Sequence, residues 1–499
     1  MHYLEMVNRL IWGAPALVLI LGVGLYISIR TGFAQITLFP KSLRSFWQRL
    51  RAKKTAGSGV TPFQALCTAL AATVGTGNLA GVAGAIAIGG PGAIFWMWIC
   101  AIFGMVIKFA EATLAVRYRT KENGEYVGGP MYMIREAMGK KWLWLGGLYS
   151  FFGVVAAFGV GNATQINAVV TGVNGALEAF GVASSQTGNV LMGMILAVVI
   201  VAMLLGGAKR IGLVAERLVP FAAAAYLLLG FGVLIARADA LPQAFLDIVQ
   251  GAFDPKAVTG GVLGSAFAAL RIGVSRGVFT NEAGMGTASI AHAGAQVEHP
   301  AEQGLLGIME VFLDTIVICT MTALVILVSG IPIHYGMDVG VALTTDAFCA
   351  VYGDWASVLI AVALCCFAFA TVLGWGLYGA RCAQFLFGVT AWKKFALLQG
   401  VTVVLGAVLN TGTVWLLSET VNGLMTIPNL VALIVLCPEL VRLTKEFKNT
   451  ALQNANGGKY ENIRKSKSVS AFSHAEVPSL GCAGKKGRQE DLSPEHRSA

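Results

Sequence analysis

The chain has 499 residues, 56% of them hydrophobic and 12% charged, with a mean hydropathy of +0.70. Soluble proteins carry about 25% charged residues, so the composition excludes an ordinary soluble enzyme and a disordered scaffold and points to a polytopic membrane protein. The net charge of +10 is no nucleic-acid signature, because it is confined to two stretches. Residues 30–54 hold Arg30, Lys41, Arg44, Arg49, Arg51, Lys53 and Lys54 with no acid, and residues 442–499 hold eleven Lys/Arg against six Asp/Glu. The body between them is close to neutral. Basic segments of this kind set membrane topology and meet anionic headgroups.

Apolar stretches of about 20 residues, the length that crosses a bilayer, predict eleven spans. They lie near 10–28, 64–88, 92–116, 145–173, 188–206, 212–236, 262–290, 304–330, 355–388, 395–410 and 413–441. The concentrated positive charge follows the first span, the reverse of a cleaved signal peptide. Basic residues then recur in every second loop: 29–61, 117–141, Lys209 and Arg210, Arg381 with Lys393 and Lys394, and the tail. Segments 174–187 and 331–354 carry none, and 291–303, which also lacks them, is the exception to the alternation. The pattern predicts an N-terminus outside and a C-terminus in the cytoplasm of a cell (inner) membrane. A membrane domain is expected over 1–441, with a disordered cytoplasmic tail over 442–499. Nine cysteines, most inside apolar runs, match no disulfide framework or zinc spacing and read as small packing residues.

Two spans carry polar, glycine-rich interruptions, and backbone leaves helical geometry at membrane depth only where protein or a water-filled cavity satisfies it. In ATVGTGNLAG, Gly75 and Gly77 permit an unwound turn. The half-helix that follows would aim free N–H groups at an anion, and the preceding half would leave carbonyls near Ala71 to Val74, with the Asn78 side-chain oxygen, for a hard cation. Close helix packing through small residues is the competing reading. In RGVFTNEAGMGT, Gly277, Asn281, Gly284 and Gly286 interrupt the seventh span, with Thr280 and Glu282 adding polar atoms. The two breaks lie five spans apart, where membrane orientation reverses, which points to an inverted-repeat secondary transporter.

Further polar positions fall inside spans. Asn162 and Gln165 are three apart and predict one helix face, with Asn167 beyond, serving either interhelical hydrogen bonds or a ligand. Thr371 and Trp375 are four apart, so a hydroxyl and an indole share a face. Lys108 and Glu111 predict a local pair, and Glu310 and Asp314, one helical turn apart, either relay protons or, the favoured reading, pair across helices with Arg271 or Arg276. No pore-like ring of charges supports a channel. Nor does a converging nucleophile or metal set support an enzyme, the six histidines being expected mostly in loops and termini.

The strings VGTGNLAGVAGAIAIGGPG, GGPMYMI, GNATQIN, RGVFTNEAGMGTASIAHA and FATVLGWGLYG, in order from about residue 5 to 441, resemble the alanine or glycine:cation symporter family. The resemblance implies an all-α protein of eleven transmembrane helices. Ten form a 5+5 inverted-repeat core of the sodium-coupled leucine transporter type, with one extra N-terminal helix. It implies import of alanine or glycine with sodium by alternating access, with proton coupling as the alternative and no cofactor beyond the coupling ion. Matched position by position, Thr76 and Gly77 would meet the substrate carboxylate, and Gln165, Asn281, Thr371 and Trp375 would line the pocket, Trp375 limiting substrate size. Sodium would sit between carbonyls near Ala71 and Val74 and the Thr371 hydroxyl. The chain departs from many relatives in having Ala370 rather than Ser before Thr371, which bears on ion stoichiometry, and Thr73 rather than Arg.

Overall fold

The computed structural model describes residues 14–52, 59–261, 265–337, 340–409 and 412–471, with isolated positions 6, 8 and 11. They are almost entirely helical, apart from one two-stranded hairpin. A first unit spans Met1–Lys445, and a second spans Glu446–Ala499. Eight of the described helices are long and apolar enough to cross a membrane, nine if one bent pair counts as a single span. The bent pair is the expected second span, Pro62–Thr73 and Gly77–Gly89, kinked by 52°. Two of the eleven expected spans fall outside this count for visible reasons. The first counts only over Leu17–Thr31 of the helix Ala14–Thr31, too short for a span, and the seventh is divided into Ala266–Asn281 and Thr287–Ala293.

Local chemistry accounts for the ends that matter. Before Pro62, Thr61 Oγ1 accepts the Gln64 N–H at 3.1 Å while Gln64 Oε1 accepts the Thr61 N–H at 3.0 Å, a reciprocal cap. Ser265 Oγ caps the helix from Ala266 by accepting the Ala268 N–H at 3.3 Å. The hairpin β1 (Thr120–Glu122) and β2 (Glu125–Val127) turns on Asn123 and Gly124, both at positive φ (50° and 82°), as a tight two-residue turn requires.

Several expectations change. The segments 237–261 and 331–354, read as loops, contain helices Leu241–Phe253 and Gly340–Tyr352; each is too short to span, so bilayer-length counting passes over it. The expected single face for Asn162 and Gln165 is broken by a π-helical turn at Gly159–Ala163, which shifts the register. Asn162 instead donates to the Gln399 carbonyl at 3.0 Å and to its side-chain oxygen. A second π-helical stretch, Phe312–Cys319, interrupts the span Pro300–Val328. The last described helix is Gly412–Ala471. Its Ala, Lys, Glu and Gln are strong helix formers that need no apolar face to turn helically. Residues 472–499 lie outside the described residues.

Candidate functional site

The break in the second span is built by two side chains that take backbone donors away from the helix. The last regular bond is Val74 N–H to the Leu70 carbonyl, 2.8 Å. The next donor, Gly75 N–H, goes to Asn78 Oδ1 at 2.9 Å, and Thr76 N–H goes to Gln165 Oε1 at 3.4 Å. In an uninterrupted helix these two donors would serve the carbonyls of Ala71 and Ala72, which therefore lose their helical partners.

The Thr371 hydroxyl stands against this turn, 3.4 Å from the Val74 carbonyl and 3.0 Å from its own helix at Phe367. The Thr371 hydroxyl thus meets the Val74 carbonyl one turn after Ala71, whose own carbonyl has lost its helical donor. Glycine gives the room at position 75: a Cβ there would lie 2.5 Å from Thr371 Oγ1 and 3.3 Å from Gln165 Oε1, so both side chains would have to shift. Thr76 Oγ1 is buried with no hydrogen-bond partner, an expensive arrangement unless a ligand or water completes it. Gln165 is held from the other end by its own amide, which donates to the Val160 carbonyl at 3.0 Å.

Asn78 has a second task. Its amide donates to Asp314 Oδ1 at 2.7 Å, and Asp314 Oδ2 accepts the Thr315 hydroxyl at 2.9 Å. The Asn78 side chain therefore ties the turn to the π-helical stretch of the span Pro300–Val328.

The break in the seventh span lies beside the first, with Phe279 and Thr280 against Gly77. Its chain reverses through positive φ at Glu282 (53°), Gly284 (91°) and Gly286 (77°). At Gly286 a Cβ would also meet Asn429 Oδ1 at 2.7 Å. Asn281 accepts the Ala283 N–H at 3.0 Å and donates to Thr315 Oγ1 at 3.2 Å. Trp375 donates its indole N–H to Glu282 Oε1 at 2.7 Å, and Thr287 donates to the other oxygen at 2.6 Å. Glu111 Oε1 accepts from Gly284 N–H (2.9 Å), Gly286 N–H (3.1 Å) and Asn429 Nδ2 (2.7 Å).

The expected local pair of Lys108 with Glu111 is thus replaced. Lys108 Nζ reaches Glu310 Oε1 at 2.8 Å, and Glu310 Oε2 meets His292 Nε2 at 2.9 Å, all fully buried. Arg276 pairs with Glu419 at 3.3 Å and not with Glu310 or Asp314. His292, read from sequence as a loop residue, is buried on Thr287–Ala293. Sequence reasoning missed Glu111, His292 and Asn429 as site-forming groups. A buried acid three residues from a lysine looks satisfied locally, and the nest of N–H groups that claims Glu111 exists only once the seventh span is broken.

Away from the breaks, a cavity of about 240 Å³ is lined by Thr68, Glu125, Tyr126, Ile290 and Arg381, among others. The hairpin borders it: Arg381 Nη2 binds Glu125 Oε2 at 2.5 Å, and Gln384 binds Glu122 at 3.0 Å. Here, outside the spans, burial and then the Glu122 charge push the Tyr132 phenol above its ordinary range. It stays neutral, 3.3 Å from Glu122 Oε2.

Comparison with known proteins gives a consistent result. The description of the sodium:alanine symporter family matches residues 1–461. The sodium/alanine symporter AgcS of Methanococcus maripaludis is 41% identical over 446 residues, covering 88% of this chain and 96% of that protein. The probable sodium/glutamine symporter GlnT of Bacillus subtilis is 37% identical, covering 89% and 90%. The crystal structure of MhsT in complex with L-phenylalanine superposes with a TM-score of 0.52 at 14% identity, covering 79% of this chain and 99% of that one. That likeness speaks for the fold, of the sodium-coupled leucine transporter type.

Proposed function

This chain belongs to the sodium:alanine symporter family, a family of membrane transporters and not of enzymes, and we propose that it imports alanine or glycine with sodium by alternating access. The observation that carries the reading is the diversion of the Gly75 and Thr76 N–H groups to Asn78 and Gln165. It frees carbonyls on one side of the turn for a cation and, on the other, presents backbone donors to an anion.

In this reading sodium sits between the carbonyls of Ala71 and Val74 and the Thr371 hydroxyl. Asn78 contributes its oxygen to the same turn. The substrate carboxylate replaces Gln165 Oε1 at the Thr76 N–H and reaches Gly77, with the unpartnered Thr76 Oγ1 beside it. Asn281 lies at the facing break, and Trp375, anchored by Glu282, closes the pocket against long side chains. The ion and the carboxylate offset one another, so a zwitterion suits a site with no net charge of its own.

The finer architecture belongs to the same proposal: eleven spans, a 5+5 inverted-repeat core with the helix Ala14–Thr31 as the extra element, the N-terminus outside and the C-terminus in the cytoplasm. The cavity beside the hairpin is then the inner exit, and opening it separates Arg381 from Glu125. Sodium ties the half-helix Pro62–Thr73 to the helix Ala356–Phe387, so ion release and inner opening are linked. One net positive charge moving inward gains about 2.3 kcal/mol per 100 mV.

One observation favours a second reading. Asp314 is fully buried, and Asn78 and Thr315, its hydrogen-bond partners, are neutral. An unpaired buried carboxylate is costly, which suits a proton as coupling ion. Uptake of labelled alanine into proteoliposomes, driven by sodium, proton or neither gradient, decides between the two. Sodium-driven uptake inhibited by glycine and not by leucine is expected. Full uptake on a pH gradient in sodium-free buffer would replace sodium by the proton.

A further inference from the structure

The helix Phe39–Arg51 has three distinct faces. At 100° per residue, Leu38, Ser42, Phe46 and Arg49 fall in one sector of about 80°, and this sector faces the protein. Leu38 and Ser42 are buried, the Phe46 ring lies 6.3 Å from that of Phe63, and Arg49 Nη2 meets Glu302 Oε2 at 3.1 Å. A second sector holds Leu43, Trp47 and Leu50, exposed by 38%, 47% and 40%. The third holds Lys41, Arg44, Gln48 and Arg51, all exposed, with the Arg51 guanidinium 5.7 Å from the Trp47 ring centroid. The helix contains no acid.

Its position says what surface it meets. The chain leaves the apolar helix Ala14–Thr31, turns at Gly32 and Phe33, where the Phe33 N–H returns to the Ser28 carbonyl at 2.7 Å, and enters this helix almost at once. An apolar face bearing a tryptophan, flanked by a purely cationic face and set at the end of a span, fits the boundary between hydrocarbon and headgroup. We propose that the helix Phe39–Arg51 is a docking site for anionic phospholipid. Leu43, Trp47 and Leu50 enter the acyl boundary while Lys41, Arg44 and Arg51 hold headgroup phosphates.

The site reaches the transport machinery through its inner face. Phe46 packs on Phe63 of Pro62–Thr73, the half-helix whose far end carries the freed Ala71 carbonyl, and Arg49 holds Glu302 of Pro300–Val311. Headgroups that pin Phe39–Arg51 to the membrane plane therefore restrain the inner half of the first break. This consequence for rate rests on the transport reading above; lipid binding itself does not.

The test uses the full-length protein and its variant Lys41→Gln/Arg44→Gln/Arg51→Gln, which leaves Arg49 in place. Retention of phosphatidylglycerol is read by native mass spectrometry. Sodium-driven alanine uptake is compared in vesicles of phosphatidylcholine alone and with about one third phosphatidylglycerol, enough anionic lipid to attract a basic helix. Expected are at least tenfold weaker phosphatidylglycerol retention by the variant and loss of an approximately threefold anionic-lipid stimulation seen in the wild type. A charge-keeping variant, Lys41→Arg/Arg44→Lys/Arg51→Lys, should behave as wild type, which separates charge from misfolding. Equal retention by wild type and the Gln variant overturns the proposal, as does equal stimulation by soluble glycerol phosphate. Absence of any uptake would count against the transport reading and leave the retention result to decide the lipid site.

Discussion

The two helix breaks are made of the same materials and finished differently. At Gly75–Asn78 the turn is held by two neutral side chains, one through a long 3.4 Å bond, and the Thr76 hydroxyl is left without a partner. At Glu282–Gly286 a buried carboxylate, Glu111, takes two backbone N–H groups and the Asn429 amide, while Glu282 is fixed by Trp375 and Thr287. Charge-assisted bonds of the second kind are roughly twice as strong as neutral ones. On the transport reading proposed above, the first break exchanges partners with ligand and the second keeps them.

The largest effect should come from filling the first break. Gly75→Ala places a methyl against Thr371 Oγ1 and Gln165 Oε1. We expect alanine uptake by the folded protein to fall at least about 100-fold, equivalent to about 2.7 kcal/mol, with a lowered unfolding midpoint from the crowding of Thr371. Wild-type uptake by a folded Gly75→Ala protein would remove the site from this turn. Next, Thr371→Val keeps the shape and removes the hydroxyl. The sodium concentration for half-maximal uptake should rise about tenfold, a change of about 1.4 kcal/mol, while Thr371→Ser stays within about threefold. Equal sodium dependence in all three proteins would place the ion elsewhere.

Glu111→Ala tests the other side of the comparison. It leaves Gly284 N–H, Gly286 N–H and the Asn429 amide without their shared acceptor, at about 1–3 kcal/mol for each donor that stays unsatisfied. A lowered unfolding midpoint in detergent is expected, while the surviving folded protein keeps its sodium dependence. A Glu111→Ala protein as stable as wild type but with altered sodium affinity would reverse the roles of the two breaks.

Much of this was legible in the residues. GTGN by itself fitted close helix packing equally well; it was its pairing with TNEAGMG five spans later, in the opposite membrane orientation, that pointed to two breaks. The structure brings Thr76, Gln165 and Thr371 to one turn; that these positions belong together was an implication of the family resemblance and not of their spacing. Trp375 is present too, but its indole N–H is committed to Glu282, a partner 93 residues away that helical spacing cannot reveal. The pairing of buried charges was the least legible part. Lys108, Glu310 and His292 come from three separated helices; local spacing offered Glu111 to Lys108, and the cross-helix expectation of Arg276 for Glu310 or Asp314 gave way to its pair with Glu419.

Composition and periodicity alone determined that this is a polytopic helical membrane protein with interrupted spans, because burying apolar residues in lipid and satisfying backbone polar groups are constraints written locally along the chain. What only the tertiary structure decided is who completes each interruption. Gly75 and Thr76 could have given their N–H groups to water or to any buried oxygen. That they meet Asn78 and Gln165, while Gly284 and Gly286 meet Glu111, depends on which helices pack together. Electrostatic and hydrogen-bond partners at low dielectric are set by distance in space, and separation along the sequence does not encode it.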